Sequence, residues 1–378
     1  MSENLKPQTH IAQALGQIDK ETQALILPIH QSTTYIRGAD NSYENGNVYS
    51  RADNPTYKPA EALLAKLEGG SDALLFGSGM AAAVAVFQAL KPGDHVLVPI
   101  AMYWSLRDWL FTLGTDWGLV VEQIDMTDLE QLRNQIRPNE TKLIWLETPG
   151  NPLWVQSDIA AIAEISKAAG ALLAVDSTIA TPILTQPLAL GADIVMHSAT
   201  KYINGHSDVI SGALITAEDN EFWQRIRKVR AQGGAVPSPF DASQLLRGMR
   251  TLYIRVKESC NNAMYLAEAL ENHSNIEAVL YPGLPSFDGY EVACKQMQGG
   301  FGGMMSIRIK GGEAAAIKVA ANVKIFKRAT SLGGVESLIE HRASIEGKNT
   351  LVPNDLLRLS VGIEDKDDLL NDLLGALE

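Results

Sequence analysis

A single lysine separates two apolar segments in the run HSATKYINGHSDV, residues 197–209. ADIVM lies directly before this run and VISGALIT continues from its last residue, and both segments are typical of buried β-strands. Lysine is among the residues least often buried. Lys201 is therefore either a strand-end residue whose stem covers apolar surface or a reactive amine available for covalent catalysis.

Further side chains with chemical potential stand at the ends of other apolar segments. Asp176 is the last residue of ALLAVD, Tyr103 follows HVLVP, and Asn151 follows KLIWLE. In open α/β sheets, ligands bind beyond the carboxyl ends of the strands, so these side chains are expected to meet in one crevice. A Gly-Ser-Gly turn in FGSGMAA, residues 76–82, leads into a helix start and adds backbone N–H groups to the same set.

This inventory matches what pyridoxal 5'-phosphate (PLP) requires of a protein. The cofactor needs an amine for a Schiff base, supplied by Lys201, and a carboxylate that keeps its ring nitrogen protonated, supplied by Asp176. Tyr103 is placed to stack on the ring. Hydroxyls and N–H groups at a helix N-terminus suit the phosphate, and the sequence offers Gly77, Gly79, Met80, Ser198 and Thr200.

Each of these features also has an ordinary structural explanation. FGSGMAA is similar to many loop-to-helix turns, Asp176 could cap a helix, and Tyr103 could belong to the core. Lys201 could simply extend its stem along a strand end. Their occurrence together, in this order on one parallel sheet, favours the cofactor site.

The elements that position these residues follow from the apolar pattern. Six segments are almost continuously apolar, which indicates a sheet covered on both faces, hence mostly parallel strands joined by helices. One such helix, DIAAIAEISKAAG, has Asp158 as its predicted N-cap and Gly170 as its stop. The predicted strands are HVLVP (95–99), GLVVEQID (118–125), KLIWLE (142–147), ALLAVD (171–176), ADIVMHS (192–198) and VISGALIT (209–216).

The chain is predicted to be an α/β protein in three parts. Polar residues 1–60 have little periodicity and indicate an extended N-terminal arm rather than a packed layer. Residues 61–250 form the cofactor-binding domain, and residues 251–378 form a smaller C-terminal α/β domain with the strand-like segments AVLYPG, GMMSIRI and LLRLSVGI. The main boundary is placed inside a long helix predicted over about 241–273.

Composition narrows the function classes. The 378 residues carry a net charge of −12, which argues against nucleic acid and anionic membranes as main partners. The two cysteines show no metal-ligand spacing and fit a reducing compartment. MSENLKPQTH lacks the apolar core of a signal peptide, and no stretch reaches the roughly 18 apolar residues of a membrane span. We expect a cytoplasmic enzyme that acts on a small molecule without a metal.

The chain resembles the Cys/Met metabolism (transsulfuration) group of fold-type I PLP-dependent enzymes. This group includes cystathionine β-lyase, cystathionine γ-lyase, cystathionine γ-synthase and methionine γ-lyase. The resemblance covers nearly the whole chain, and its most specific motif is SATKYINGHSD. The other motifs are PIHQSTTY, YSRADNPT, FGSGMAA, ETPGNP, AVDSTIATP, RGMRTL, SLGGVESL and LLRLSVGIED.

The resemblance implies a role for each matching residue. Lys201 would hold the cofactor and then shuttle protons, and Tyr103 would stack on the ring and take a proton from the substrate amine. Arg358 would bind the substrate α-carboxylate with two hydrogen bonds. Asn151 and Ser331 would support the cofactor hydroxyl and the carboxylate or the lysine. Asp176, Gly79, Met80, Ser198 and Thr200 would keep the roles given above.

The same resemblance implies a function for the polar N-terminal arm. Tyr49 and Arg51 would reach the cofactor phosphate of a neighbouring subunit, with Tyr49 also close to the substrate. This implies a homo-oligomer, which in this family is usually a tetramer built from two catalytic dimers.

Three departures bear on the reaction. Many γ-type members carry Gly-Gly after the ring-stacking tyrosine, whereas Trp104 and Ser105 stand there in this chain, as expected for a β-lyase. RGMRTL and YPGLPS are also similar to β-lyases, but SLGGVESL is closer to γ-synthases and γ-lyases. The position before Ser331 often carries glutamate in cystathionine γ-enzymes and tyrosine in β-lyases, and here it is Thr330.

The favoured prediction is a carbon–sulfur lyase that cleaves cystathionine-like amino acids by β-elimination to a thiol amino acid, a 2-oxo acid and ammonia. The alternatives are γ-replacement of the cystathionine γ-synthase type, or γ-elimination from a methionine- or canavanine-like substrate. An aminotransferase and a PLP-binding protein that acts through partner contact are the alternatives from other classes. The presence of Lys201, Tyr103 and Arg358 disfavours the last of these.

Overall fold

The computed structural model describes residues 5–346 and 352–378, so the first four residues of MSENLKPQTH lie outside the described part. A seven-stranded sheet forms the larger layer, with the strand order β1-β7-β6-β5-β4-β2-β3. The five strands β2 to β6 are mutually parallel, β7 is antiparallel to β6, and β1 is antiparallel to β7. The strands are β1 Asp72–Phe76, β2 His95–Pro99, β3 Val120–Ile124, β4 Thr141–Glu147, β5 Leu172–Asp176, β6 Ile194–His197 and β7 Gly212–Thr216.

This sheet is covered on both faces, which confirms the mostly parallel α/β fold that the apolar segments predict. Leu173 and Val175 of β5 belong to one buried cluster, whereas Ala174 between them belongs to another. Alternate residues of a strand point to opposite faces, so both faces exclude water.

Fifteen α-helices and three short 3-10 or π segments lie in the described ranges. α7 begins after Asp158, whose side chain accepts the Ala161 N–H, and ends at Gly170 with φ 72°, as predicted. The helices are α1 Pro7–Gln13, α2 Lys58–Glu68, α3 Gly79–Gln88, α4 Trp104–Trp109, α5 Thr115–Trp117, α6 Leu129–Gln135, α7 Ile159–Ala169, α8 Thr181–Leu184, α9 Glu221–Gly233, α10 Pro239–Met249, α11 Leu252–Leu270, α12 Tyr290–Gln296, α13 Gly312–Asn322, α14 Ala343–Glu346 and α15 Lys366–Leu377.

A second sheet of five strands follows, in the order β10-β11-β12-β9-β8. It is antiparallel except for the pair β10 and β11, and its apolar face packs with α11, α13 and α15. Arg358 on β12 is the register partner of Glu340 on β11. The strands are β8 Ile276–Leu280, β9 Met304–Ile309, β10 Lys327–Arg328, β11 Leu338–His341 and β12 Leu356–Ser360.

The prediction of one long helix over about 241–273 is wrong, because two separate helices, α10 and α11, occupy that region. The Gly248 carbonyl accepts the Thr251 N–H at 3.2 Å and the Arg255 side chain at 2.8 Å. Arg255 also donates to the carbonyl of Tyr202 at 2.7 Å. A tertiary contact therefore takes the place of a continuous helical hydrogen bond.

The N-terminal arm is also less extended than predicted. α1 contacts α2 and α11, and Ile11 is buried in the same cluster as Leu252 and Val256. The boundaries near residues 60 and 250 stay predictions. Within the described ranges, no helix has both the length and the apolar character that crossing a membrane requires.

Candidate active site

A cavity of about 350 Å³ lies at the carboxyl ends of β4, β5 and β6. It collects side chains that the sequence places far apart, at the edge where ligands bind in open parallel sheets. Its lining includes Gly79, Met80, Tyr103, Asn151, Asp176, Ser198, Thr200, Lys201, Ser331 and Arg358, all of them predicted site residues.

Lys201 directs its amine into this cavity. Its Nζ donates a hydrogen bond to the Ser331 Oγ at 2.8 Å. Burial, reinforced by the positive charge of Arg358, lowers the pKa of Lys201 to about 8. An amine with this pKa is neutral in a useful fraction near neutral pH, as a nucleophile and proton acceptor must be.

Two carboxyl groups lie side by side where β4 and β5 end. Asp176 and Glu147 are register partners, and the Asp176 Oδ1 accepts from the backbone N–H of Thr178 at 3.0 Å and from its hydroxyl at 2.6 Å. Burial raises the pKa of Asp176, and burial together with the charge of Asp176 raises the pKa of Glu147 to about 8. A bound cation next to Asp176 would offset this cost of burying its charge.

Glu147 is a cavity residue that the sequence analysis missed, although it ends a predicted strand. Its carboxyl accepts the backbone N–H of Tyr103 at 2.7 Å and that of Asn151 at 3.1 Å. Glu147 therefore fixes the two loops that carry the aromatic ring and the amide of the site. The position of KLIWLE at a strand end was the available signal.

The N-terminus of α3 forms a cradle against the loop after β6. Ser78 caps the helix by accepting the Ala81 N–H at 3.0 Å, which leaves the N–H groups of Gly79 and Met80 without intrahelical partners. A Cβ on Gly79 would lie 2.6 Å from the Ser198 Oγ, so a side chain at this position would fill the cradle. The prediction for Gly77 is wrong, because its N–H donates to the Ala235 carbonyl at 3.1 Å.

Arg358 approaches the same cavity from the second sheet. Its Nη2 donates to the Ser331 carbonyl at 2.9 Å and lies 2.6 Å from the Glu340 carboxylate, and its Nη1 lies 3.3 Å from the Asn151 Oδ1. Burial lowers the pKa of Arg358 to about 10, so the guanidinium remains charged at neutral pH. Ser331 has φ 103°, a backbone conformation that costs energy in a non-glycine residue and is concentrated at functional sites.

Trp104 and Arg342 complete the wall and were not assigned roles from the sequence. Trp104 lines the cavity beside Tyr103, with the ring centroids 6.2 Å apart in an edge-on arrangement. Arg342 is buried and forms an ion pair with Glu340 at 3.1 Å. Only the folding of β11 against β12 brings Arg342 to the site, so no local signal revealed it.

Tyr49 and Arg51 are absent from the lining of this cavity among the residues that the structure describes. The Arg51 guanidinium lies over the Tyr49 ring, 5.5 Å from its centroid, and the Tyr49 side chain is half exposed. Their assignment to the site of a neighbouring subunit stays a prediction.

The chemistry of the residues that line the cavity fits PLP. It combines the Lys201 amine, the buried carboxyl groups of Asp176 and Glu147, aromatic rings, several hydroxyl side chains and an open helix N-terminus that requires glycine. The fold and this site define a fold-type I PLP-dependent enzyme. The chain belongs to the family described as Cys/Met metabolism PLP-dependent enzyme, whose model matches residues 8–378.

Named relatives carry more than one activity. The chain is 45% identical over 377 residues to a cystathionine gamma-synthase of Mycobacterium bovis, covering 98% of this chain and 96% of that protein. It is 40% identical over 378 residues to a cystathionine beta-lyase of Coxiella burnetii, covering 98% and 97%. A solved structure described as metB from Corynebacterium glutamicum matches with a TM-score of 0.95 and 41% identity, covering 99% of this chain and 98% of that one.

Proposed function

We propose that this enzyme forms or cleaves a carbon–sulfur bond at the γ-carbon of an amino acid, with γ-replacement of the cystathionine γ-synthase type as its main reaction. The observation that carries the amino-acid chemistry is the Lys201 amine in one cavity with Arg358. The γ-assignment is supported by 45% identity to a γ-synthase over nearly the whole chain. This reverses the preference for β-elimination drawn from the sequence.

In this proposal, each site residue of the chain has a separate role. When bound, PLP supplies an electron sink that acidifies the substrate Cα–H. Lys201 accepts and returns protons at Nζ, and Asp176 holds the ring nitrogen in its protonated form. Tyr103 orients the ring, and Arg358 binds the substrate carboxylate. Hydroxyls and backbone N–H groups of Gly79, Met80, Ser198 and Thr200 hold the phosphate, while Asn151 and Ser331 support the ring hydroxyl and the lysine.

One observation favours β-elimination as the second candidate. Trp104 lines the cavity wall beside Tyr103, where many γ-type enzymes carry glycines. β-Lyases also lack these glycines, so this wall supports β-elimination. γ-Elimination from a methionine- or canavanine-like amino acid is the remaining member of the same class.

Product analysis separates these reactions. The purified PLP-loaded enzyme is incubated with an O-acylhomoserine and cysteine, and separately with cystathionine, and the products are identified by NMR. Cystathionine formed in the first mixture supports γ-replacement. Pyruvate with homocysteine in the second would instead establish β-cleavage, and 2-oxobutyrate with cysteine would establish γ-cleavage. No product in either mixture would overturn both candidates and direct the assay to canavanine and methionine.

We further propose a cytoplasmic homo-oligomer, as a tetramer of two catalytic dimers. Its support is the exposed apolar surface of the arm, where the Ile36 side chain is 95% exposed, Leu25 is 79% exposed and Ile26 is 65% exposed. Apolar side chains grouped at a surface mark a contact region. Sedimentation velocity measures the assembly, and a monomer at micromolar concentration would rule it out.

A further inference from the structure

A single buried carboxylate, that of Glu340, connects the substrate-facing groups of the second sheet. Its Oε2 lies 2.6 Å from the Arg358 Nη2 and 3.1 Å from the Arg342 Nη1. Its Oε1 accepts the hydroxyl hydrogen of Thr330. Thr330 directly precedes Ser331, whose hydroxyl accepts from the Lys201 amine.

Glu340 itself is not among the described residues that line the cavity, so it acts through others. Arg358 is a long side chain that loses most of its rotamer freedom on burial, and an unpaired buried guanidinium is costly. Glu340 pairs with the Arg358 Nη2, while the Arg358 Nη1 has a longer contact of 3.3 Å to the Asn151 Oδ1. The Nη1 edge is thus the part most easily released to a ligand.

We propose that Glu340 is a positioning residue for substrate carboxylate recognition. It fixes Arg358 in the orientation that receives the α-carboxylate, and through Thr330 it holds the segment that carries Ser331. In the resembling cystathionine γ-enzymes, a glutamate often directly precedes the serine at this position. In this chain Thr330 precedes Ser331, and the carboxylate comes from Glu340 on β11. The inference rests on the proposed role of Arg358.

Glu346 offers a matched control on the same arginine cluster. Its carboxylate lies 3.1 Å from the Arg342 Nη2, and its side chain is buried like that of Glu340. Glu340→Gln and Glu346→Gln each remove one negative charge beside Arg342. Glu340 forms a direct ion pair with Arg358, and the charge of Glu346 also favours the protonated form of Arg358, so the comparison separates loss of the direct pair from a general loss of charge near Arg358.

The experiment compares two ligands of the PLP-loaded enzyme, L-alanine and ethylamine. They differ by the carboxylate, and binding of each is followed by the change in visible absorbance of the cofactor. We expect Glu340→Gln to weaken L-alanine binding by about tenfold or more, since Arg358 is no longer held in the orientation that receives the carboxylate. Ethylamine binding is expected to stay at the wild-type value, and Glu346→Gln is expected to bind both ligands as wild type does.

A double variant tests the route of action. If Glu340 acts through Arg358, adding Glu340→Gln to Arg358→Lys causes little further loss of L-alanine affinity. Wild-type L-alanine affinity in Glu340→Gln, or equal losses for both ligands, overturns the proposal. Wild-type L-alanine affinity in Arg358→Lys instead overturns the assignment of Arg358 on which the proposed function relies.

Cofactor content and melting temperature show whether Glu340→Gln is folded. If this variant does not retain PLP, Glu340→Asp replaces it, because aspartate keeps the charge but withdraws it from Arg358 by one methylene. A loss confined to L-alanine supports the proposal. L-alanine affinity equal to wild type in Glu340→Asp overturns it.

Discussion

Lys201 is the residue on which the proposed chemistry depends most directly. Lys201→Ala is expected to abolish both turnover and the visible absorbance of bound cofactor, because no other lysine lines the cavity in the described ranges. The spectrum of the purified variant and the product assay measure this. Lys228→Ala on α9, which removes an exposed lysine, is the control and should behave as wild type. Turnover by Lys201→Ala contradicts the cofactor assignment.

The pH dependence of cofactor capture reports the same amine. The pKa of Lys201 is lowered to about 8, and the neutral amine that attacks an aldehyde exists above the pKa. The rate at which cofactor-free enzyme regains absorbance with PLP should therefore rise through about pH 8 and then level off. A midpoint near the ordinary lysine value would contradict the lowered pKa.

Arg358→Met distinguishes Lys201 from Glu147, whose pKa is also about 8. Arg358 is a cause of the lowered pKa of Lys201, so its removal should move the midpoint of capture to higher pH. The raised pKa of Glu147 comes chiefly from burial and Asp176. A midpoint unchanged in Arg358→Met would assign the titration to a group other than Lys201.

Residues proposed to touch a ligand were easier to predict than residues that position them. Lys201, Asp176 and Tyr103 stand at strand ends, where side-chain chemistry and local pattern coincide. Glu340 has its effect through Arg358, and the pairing of β11 with β12 that joins them is not a local property. Sequence spacing alone does not contain that contact.

At the scale of elements, the start of α3 has little space for any side chain larger than that of glycine. A Cβ at Gly79 would lie 2.6 Å from the Ser198 Oγ and 2.7 Å from its Cβ. Gly79→Ala should therefore displace Ser198 and weaken PLP retention by about tenfold, since the helix N-terminus and the hydroxyl would no longer converge. Equilibrium dialysis of the cofactor measures this, and retention equal to wild type would contradict the cradle.

Gly375→Ala in α15 is the matched control for the loss of a glycine. No atom lies within 4 Å of a Cβ at Gly375, and the residue is exposed inside a helix. The substitution should raise the free energy of unfolding by about 0.5–1 kcal/mol and leave PLP retention unchanged. Chemical denaturation of both variants provides the comparison, and a destabilised Gly375→Ala would contradict this expectation.

Strands with long apolar runs were predictable, whereas elements that depend on distant partners were not. β5 and β6 fall within predicted segments and β4 exceeds its segment by one residue, because burial on both faces makes these strands continuously apolar. β1 is a short segment, Asp72–Phe76, that becomes a strand by pairing with β7. At the break between α10 and α11, the Arg255 side chain likewise makes a contact beyond the local helix pattern, to the Gly248 carbonyl.

At the scale of the whole molecule, the arm residues predicted for the site, Tyr49 and Arg51, do not line the cavity of their own chain in the part that the structure describes. Arg51 and Lys201 are both expected site residues, yet Arg51 is absent from the cavity lining among described residues. A second copy that supplies Arg51 resolves this, and in a two-fold dimer each subunit would complete the site of the other. Arg51→Ala is then expected to reduce PLP affinity and activity.

Mixing Lys201→Ala with Arg51→Ala subunits, at a PLP concentration too low to load the Arg51→Ala site, tests shared sites directly. In a hybrid of Lys201→Ala and Arg51→Ala subunits, one site has both substitutions and the other has the intact Lys201 and the intact Arg51. Random pairing makes half of the dimers hybrid with one intact site of two, so co-expression should restore about a quarter of wild-type activity. A mixture no more active than its separate components, in dimers confirmed by sedimentation, would show that Arg51 serves its own chain.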